Sequence, residues 1–118
     1  DIDYYMESFG MPMGPLTLLD IVGIDVGYKV AKSLNESYGD RMKPCQLLEK
    51  IAQDHPKLLG KKSKRGFYIY CNNGTKKTNY TINEILSKLN TNPTNALATN
   101  EVQDRLVMMM INEAAKCL

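Results

Sequence analysis

One histidine, His55, and three cysteines could take part directly in chemistry in this 118-residue sequence. His55 precedes a proline at the end of a predicted helix, where a histidine more often caps the helix than catalyses. No nucleophile has a base at a spacing that indicates a Ser–His or Cys–His arrangement. The cysteines are odd in number and form no C-x-x-C pair, so neither a disulfide framework nor a zinc site is predicted. We therefore expect no catalytic residue and no metal ligand in this chain.

A run of basic residues gives the chain one candidate for phosphate contact. Residues 61–65 read Lys-Lys-Ser-Lys-Arg, and ammonium groups meet phosphates as point charges. We take Lys61, Lys62 and Lys64 as the candidates, and a solvated basic loop as the alternative. A single short run and a formal net charge of +2 argue against nucleic acid as a partner.

Composition predicts one small helical domain. Hydrophobic residues make up 43% of the chain, enough for a single modest core. No run of about 18 apolar residues occurs, so no membrane span is predicted. The cysteine pattern favours reduced thiols, and we expect a cytoplasmic protein. The chain opens without Met and stops within a helical pattern, so both ends are expected to be cuts in a longer protein.

Glycine and proline divide the first part of the chain into two helices. A helix over residues 1–9 should stop at Gly10, and Pro15 fits the first position of a second helix over residues 15–22. The residues between them, Met-Pro-Met-Gly, predict a rigid and tight connection.

Helical periodicity continues over most of the remaining sequence. Asp25 should cap a helix whose apolar residues recur every four positions and predict a buried stripe at Val26, Val30, Leu34 and Tyr38. A further helix should start at Pro44, with Leu47, Leu48 and Ile51 facing inward.

The second half of the chain adds one strand-like stretch and two helices. Residues 66–70 are short, aromatic and β-branched, as in a strand. Thr81 and Glu84 have the spacing of a capping box. In the last helix, three consecutive methionines at 108–110 predict burial on more than one side. The predicted fold class is all-α, a mainly helical bundle with one short strand-like segment.

Two motifs, in this order, resemble the C-terminal domain of 3-hydroxyacyl-CoA dehydrogenases. The first is Phe-Gly-Met-Pro-Met-Gly-Pro at 9–15, continuing to Asp20, Val22-Gly23 and Asp25. The second is the glycine-lysine run at 59–70 that leads into Gly-Phe-Tyr. Asp-Ile-Asp at 1–3 also matches. Lys64 departs from the family, which usually has a glycine there.

The resemblance implies a domain organisation. Residues 1–90 would form a first copy of this domain without its first helix, 91–100 a linker, and 101–118 the opening helix of a second copy. Two copies occur in the multifunctional fatty-acid oxidation enzymes. Asp104 stands where the catalytic copy of the family has a substrate-contacting Asn, so that role is not transferred to it.

The resemblance also implies a reaction, in which NAD takes a hydride from a 3-hydroxyacyl-CoA in β-oxidation. NAD and the His general base would belong to a preceding nucleotide-binding domain, so the fragment itself would hold no cofactor and be inactive. The implied partners are the acyl-CoA substrate, that preceding domain, and a second copy or a thiolase subunit.

This chain would then supply the other wall of the cleft. Met11 and Met13 are flexible and apolar and could line an acyl groove, and Gly14 lets a ligand or backbone come close beside Pro15. We take these four residues as candidates for substrate binding, with plain helix–helix packing as the alternative. A different class of function, a helical dimerisation or assembly module without substrate contact, also remains open.

Overall fold

The computed structural model describes residues 1–89 and 97–118. The described chain forms two compact units, one from residues 1–16 with 97–118 and one from residues 17–89. The predicted linker over 91–100 lies mostly outside the described residues, and its last two residues belong to a helix.

The first unit is built on two helices, α1 (Ile2–Phe9) and α6 (Thr99–Lys116), which pack against each other. The Gln103 side-chain amide donates to the Tyr5 carbonyl oxygen at 2.7 Å. Gly10 ends α1 with a φ of 131°, which favours glycine, so the predicted stop is confirmed. The helix α2 (Pro15–Val22) begins at Pro15 as predicted.

The methionines of α6 are exposed, so the prediction that they are buried was wrong. Met108, Met109 and Met110 are 51%, 69% and 55% accessible. The half-buried face of α6 lies nearer its start and includes Val102 and Leu106. Consecutive residues point in three directions around a helix, and all three methionines lie off the half-buried face of α6.

The second unit holds most of the remaining elements. They are α3 (Ile24–Tyr38), a 3₁₀ helix (Gly39–Met42), α4 (Gln46–Asp54), a second 3₁₀ helix (Lys61–Ser63) and α5 (Tyr80–Leu89). Its core is formed by five buried side chains, Ile24, Ile51, Leu58, Ile82 and Ile85. Leu47 and Leu48 pack against this core, which confirms the predicted inward face of α4.

The apolar stripe of α3 faces solvent among the described residues, which contradicts its predicted burial. Val26, Val30, Leu34 and Tyr38 are between 38% and 53% accessible. Instead, α3 packs against α4, and Ile24 at its first turn enters the core. Asp25 does not cap α3, because Gly23 occupies the N-cap position.

A small hairpin follows the basic run. The strands β1 (Tyr68–Tyr70) and β2 (Lys76–Thr78) are antiparallel, with Tyr68 opposite Thr78 and Tyr70 opposite Lys76. The sequence predicted the first strand and missed the second, because Lys-Lys-Thr has no hydrophobic alternation. The mainly helical fold class is confirmed.

The capping box predicted at the start of α5 is wrong by two residues. The side-chain oxygen of Asn79 accepts from the Thr81 N–H at 3.2 Å, so Asn79 is the cap. The Asn79 amide also donates to the Gly66 carbonyl oxygen at 2.8 Å. This buried asparagine therefore joins α5 to the residues that precede β1.

Candidate functional site

Two carboxylates of α1 hold the turn that precedes α2. The Leu16 N–H donates to Asp3 Oδ1 at 2.8 Å, and the Gly14 N–H donates to Glu7 Oε1 at 3.0 Å. The first N–H groups of a helix have no partner within it, and the helix dipole favours negative charge there. Because Asp3 is only 4% exposed, the start of α2 is fixed to α1 from inside the first unit.

Gly14 provides the space in which the Asp3 carboxyl group lies. A Cβ atom at position 14 would overlap the Asp3 side chain. The sequence predicted that Gly14 admits a close approach, and the group that approaches it within the described chain is Asp3. The hydrogen bond between Asp3 and the start of α2, which we call the clamp, therefore requires glycine at this position.

The other predicted substrate-binding residues lie in the same turn. Met11, Met13 and Pro15 are all half-buried, and the Met11 N–H donates to the Met6 carbonyl oxygen at 3.1 Å. The turn thus combines a fixed backbone with two flexible thioether side chains that remain partly accessible.

A fully buried carboxylate, Asp20, anchors the hairpin of the second unit. Its oxygens accept from the Phe67 N–H at 2.8 Å, the Tyr68 N–H at 3.0 Å and the Tyr70 hydroxyl at 2.8 Å. Buried charge is tolerated when hydrogen bonds satisfy it in this way. Asp20 is therefore a structural partner of the hairpin.

The glycines of the second motif make room for Asp20. A Cβ at Gly66 would overlap the Asp20 carboxylate, and one at Gly60 would overlap the Asp20 carbonyl oxygen. Gly60 also has a φ of 100°, a conformation that side chains disfavour. This packing explains why glycines flank the basic run.

The three lysines of the basic run are held in different ways. Lys62 Nζ lies 2.6 Å from Asp25 Oδ1, and this hydrogen bond holds the pKa of Asp25 below its ordinary value. Lys64 Nζ donates to Asn72 Oδ1 at 2.7 Å, and its φ is 59°, the left-handed conformation that a glycine would take more easily. Lys61 is exposed.

Sequence reasoning missed Asp3 and Glu7 as the residues that fix the turn. A usable signal exists, since two carboxylates four positions apart in α1 precede a helix that starts with Gly-Pro. Among residues 1–89 and 97–118, no group of three histidine, cysteine or carboxylate side chains is placed to hold a metal ion. None of the described helices is both long enough and apolar enough to cross a bilayer.

Comparison with known proteins identifies relatives of this chain. The family model described as "3-hydroxyacyl-CoA dehydrogenase, C-terminal domain" matches residues 1–70. The alpha subunit of the fatty acid oxidation complex of Shewanella amazonensis (strain ATCC BAA-1098 / SB2B) is 38% identical over 117 residues, which make up 99% of this chain and 16% of that protein. The dehydrogenase part of multifunctional enzyme 1 from C. elegans has the same fold, with a TM-score of 0.71 at 23% identity over 98% of this chain and 25% of that one.

The family model covers more than half of the sequence, including both motifs. The chain therefore belongs to the family of 3-hydroxyacyl-CoA dehydrogenase C-terminal domains. It spans only 16% of the length of the curated relative that it matches.

Proposed function

We propose that this chain forms the substrate-side wall and the inter-domain packing surface of an NAD-dependent 3-hydroxyacyl-CoA dehydrogenase of fatty-acid β-oxidation. It would hold no complete active site. Family membership supports the enzyme class. The single observation that carries the role of the wall is the clamped turn at 10–14, where Asp3 and Glu7 fix the backbone and leave Met11 and Met13 half-buried.

A wall for acyl chains needs a fixed backbone and adaptable apolar side chains. The two carboxylate contacts supply the first requirement. Methionine supplies the second, because its unbranched thioether fills irregular spaces and tolerates partners of different shape. Met11, Met13, Gly14 and Pro15 remain our candidates for substrate contact, with Gly14 acting through its room for Asp3.

The strand topology of the described residues supports a proposal that NAD binds elsewhere. Their strands form one antiparallel hairpin, whereas such sites lie where parallel strands open onto helix N-termini. NAD, which accepts the hydride when bound, would therefore lie on a preceding domain of a longer chain. We also propose that residues 101–118 form the opening helix of a second copy of the C-terminal domain in that longer chain. The thiolase partner and the cytoplasmic location stay predictions from the sequence.

A chimera tests the proposed wall. This chain would replace the matching 117-residue segment of the Shewanella amazonensis alpha subunit, and NADH formation from a medium-chain 3-hydroxyacyl-CoA would be followed. The chimera should be active. Met11→Gln and Met13→Gln should each raise KM by about three- to tenfold with a smaller change in kcat, because a polar amide replaces a thioether against the acyl chain.

Met109→Gln is the matched control, since Met109 is 69% exposed and lies on α6. It makes the same chemical change away from the turn. If Met11→Gln and Met13→Gln behave like this control, the turn does not contact substrate.

The assembly module is the second candidate function, and the exposed stripe of α3 favours it. Val26, Val30, Leu34 and Tyr38 form an apolar row that solvent reaches in the described chain, and such rows commonly mark protein contacts. If the stripe pairs chains, Val30→Lys should shift the sedimentation coefficient to that of a monomer. Glu36→Lys places the same lysine on α3 outside the row and should leave assembly unchanged. An unmodified chain that sediments as a monomer at high concentration would contradict this candidate.

A further inference from the structure

A cavity of about 380 Å³ in the second unit is lined by two cationic side chains, Arg65 and Lys57, that form no ion pair among the described residues. Arg65, Lys57 and His55 all line it. Within the described chain, no carboxylate forms an ion pair with Arg65 or Lys57. Two lysines of the basic run do have side-chain partners, because Lys62 forms an ion pair with Asp25 and Lys64 donates a hydrogen bond to Asn72.

One carboxylate, Asp54, also lines the cavity and would oppose an anion. Its charge is already balanced, since the Lys50 ammonium forms an ion pair with it. This hydrogen bond holds the pKa of Asp54 below its ordinary value, so Asp54 is ionised at neutral pH. The cations of Arg65 and Lys57 therefore remain in excess at neutral pH.

The remaining wall of the cavity has the character that an organic phosphate needs. Leu58 is 8% exposed and belongs to the hydrophobic core, so it presents an apolar surface. The Thr81 side chain adds a polar group to this wall, because its hydroxyl can donate a hydrogen bond to an oxyanion. A volume of 380 Å³ lies in the range of small-molecule sites and exceeds what inorganic phosphate alone would fill.

From these observations we propose that the cavity lined by Arg65, Lys57 and His55 binds the phosphate group of a small phosphate ester. The guanidinium of Arg65 offers the fork that matches two phosphate oxygens, and Lys57 adds a point charge. Leu58 contacts the organic part. Within the basic run, the phosphate-binding residue is thus Arg65, which was not among the predicted contacts Lys61, Lys62 and Lys64. The site stands independently of the proposed dehydrogenase role.

Calorimetric titration of the 118-residue chain tests the site with three probes: inorganic phosphate, AMP and adenosine 3′,5′-bisphosphate. The two esters should bind more tightly than inorganic phosphate, because only they reach Leu58. Arg65→Gln should weaken AMP binding by about tenfold or more, the usual scale for a hydrogen bond to a charged group. Lys57→Gln should weaken it by about threefold to tenfold.

Lys61→Gln tests the contact that the sequence predicted, since it removes one exposed charge from the same basic run but Lys61 does not line the cavity. It should change affinity by less than about twofold at physiological salt, where distant charges are screened. If Arg65→Gln and Lys61→Gln weaken binding equally, the chain binds anions through diffuse charge and the proposed site is wrong. Esters that bind no better than inorganic phosphate would overturn the part assigned to Leu58.

Circular dichroism of each variant checks that it is folded. The Arg65 main chain hydrogen-bonds to Gly60, so the side chain can be changed without removing that contact. If Arg65→Gln nevertheless unfolds, the comparison of Lys57→Gln with Lys61→Gln decides the proposal alone. Equal affinities in those two variants would refute it.

Discussion

Removal of the buried Asp20 carboxylate should destabilise the second unit strongly. Asp20→Ala would leave the Phe67 and Tyr68 N–H groups and the Tyr70 hydroxyl without the acceptor that all three now share. Leaving a buried donor unsatisfied costs about 1–3 kcal/mol, and we expect a total of about 3–5 kcal/mol once the site relaxes. Stability of small domains is about 5–15 kcal/mol, so much of it would be lost.

Urea unfolding followed by circular dichroism measures this loss, and two further variants calibrate it. Tyr70→Phe removes only the hydroxyl donor and should cost about 0.5–1.5 kcal/mol. Asp40→Ala removes an exposed carboxylate and should change stability by less than about 0.5 kcal/mol. If Asp20→Ala costs no more than Asp40→Ala, the three hydrogen bonds do not anchor the hairpin and the reasoning fails.

Three other predictions concern single positions. Lys64→Gly should raise the free energy of unfolding by about 0.5–1 kcal/mol, because the position has a φ of 59°; a loss in the same urea experiment would mean that the lysine side chain outweighs this strain. Gly14→Ala should lower the free energy of unfolding by about 1–3 kcal/mol, because the added methyl group overlaps Asp3. An unchanged melting temperature in calorimetry would contradict the role of Asp3 in fixing the start of α2. Lys62→Met should raise the pKa of Asp25 toward its ordinary value, as measured in a carboxyl NMR titration. The Lys62–Asp25 pair stabilises the fold at neutral pH, and this stabilisation is lost as pH falls through the lowered pKa, so the variant should lack it. An unchanged pKa of Asp25 would refute the pairing.

Glycine and proline residues in the sequence predicted the helix ends that position the candidate turn. Gly10 stops α1 because of its positive φ, and Pro15 starts α2 because its ring suits the first helical position. These effects act within a few residues and do not need the rest of the fold. The same holds for the end of α4 before Pro56.

Burial could not be predicted in the same way. The four-residue spacing in α3 correctly indicated an amphipathic helix, but periodicity does not say whether a partner covers the apolar face. In the described chain Val30 is 53% exposed, and Met109 of α6 is 69% exposed. Propensity gave no sign of β2 either, since its pairing with β1 makes a strand of three polar residues.

The candidate site was predictable only in part. The turn at 10–14 stood out by composition, whereas its clamp depends on Asp3 and Leu16, which are 13 positions apart. Asp20 finds its partners 47 to 50 positions away, a distance over which spacing in one sequence carries no information. Similarly, Arg65 and Lys57 meet at one cavity only because the chain folds back between them.

The most direct test of the proposed role is the activity of the purified chain itself. NADH formation from a 3-hydroxyacyl-CoA would be measured together with a calorimetric titration of NAD. Neither turnover nor NAD binding is expected, since the proposed wall contains no general base for the reaction and no dinucleotide site. Measurable turnover would contradict the proposal and would require a catalytic base within these residues, with His55 as the first to replace.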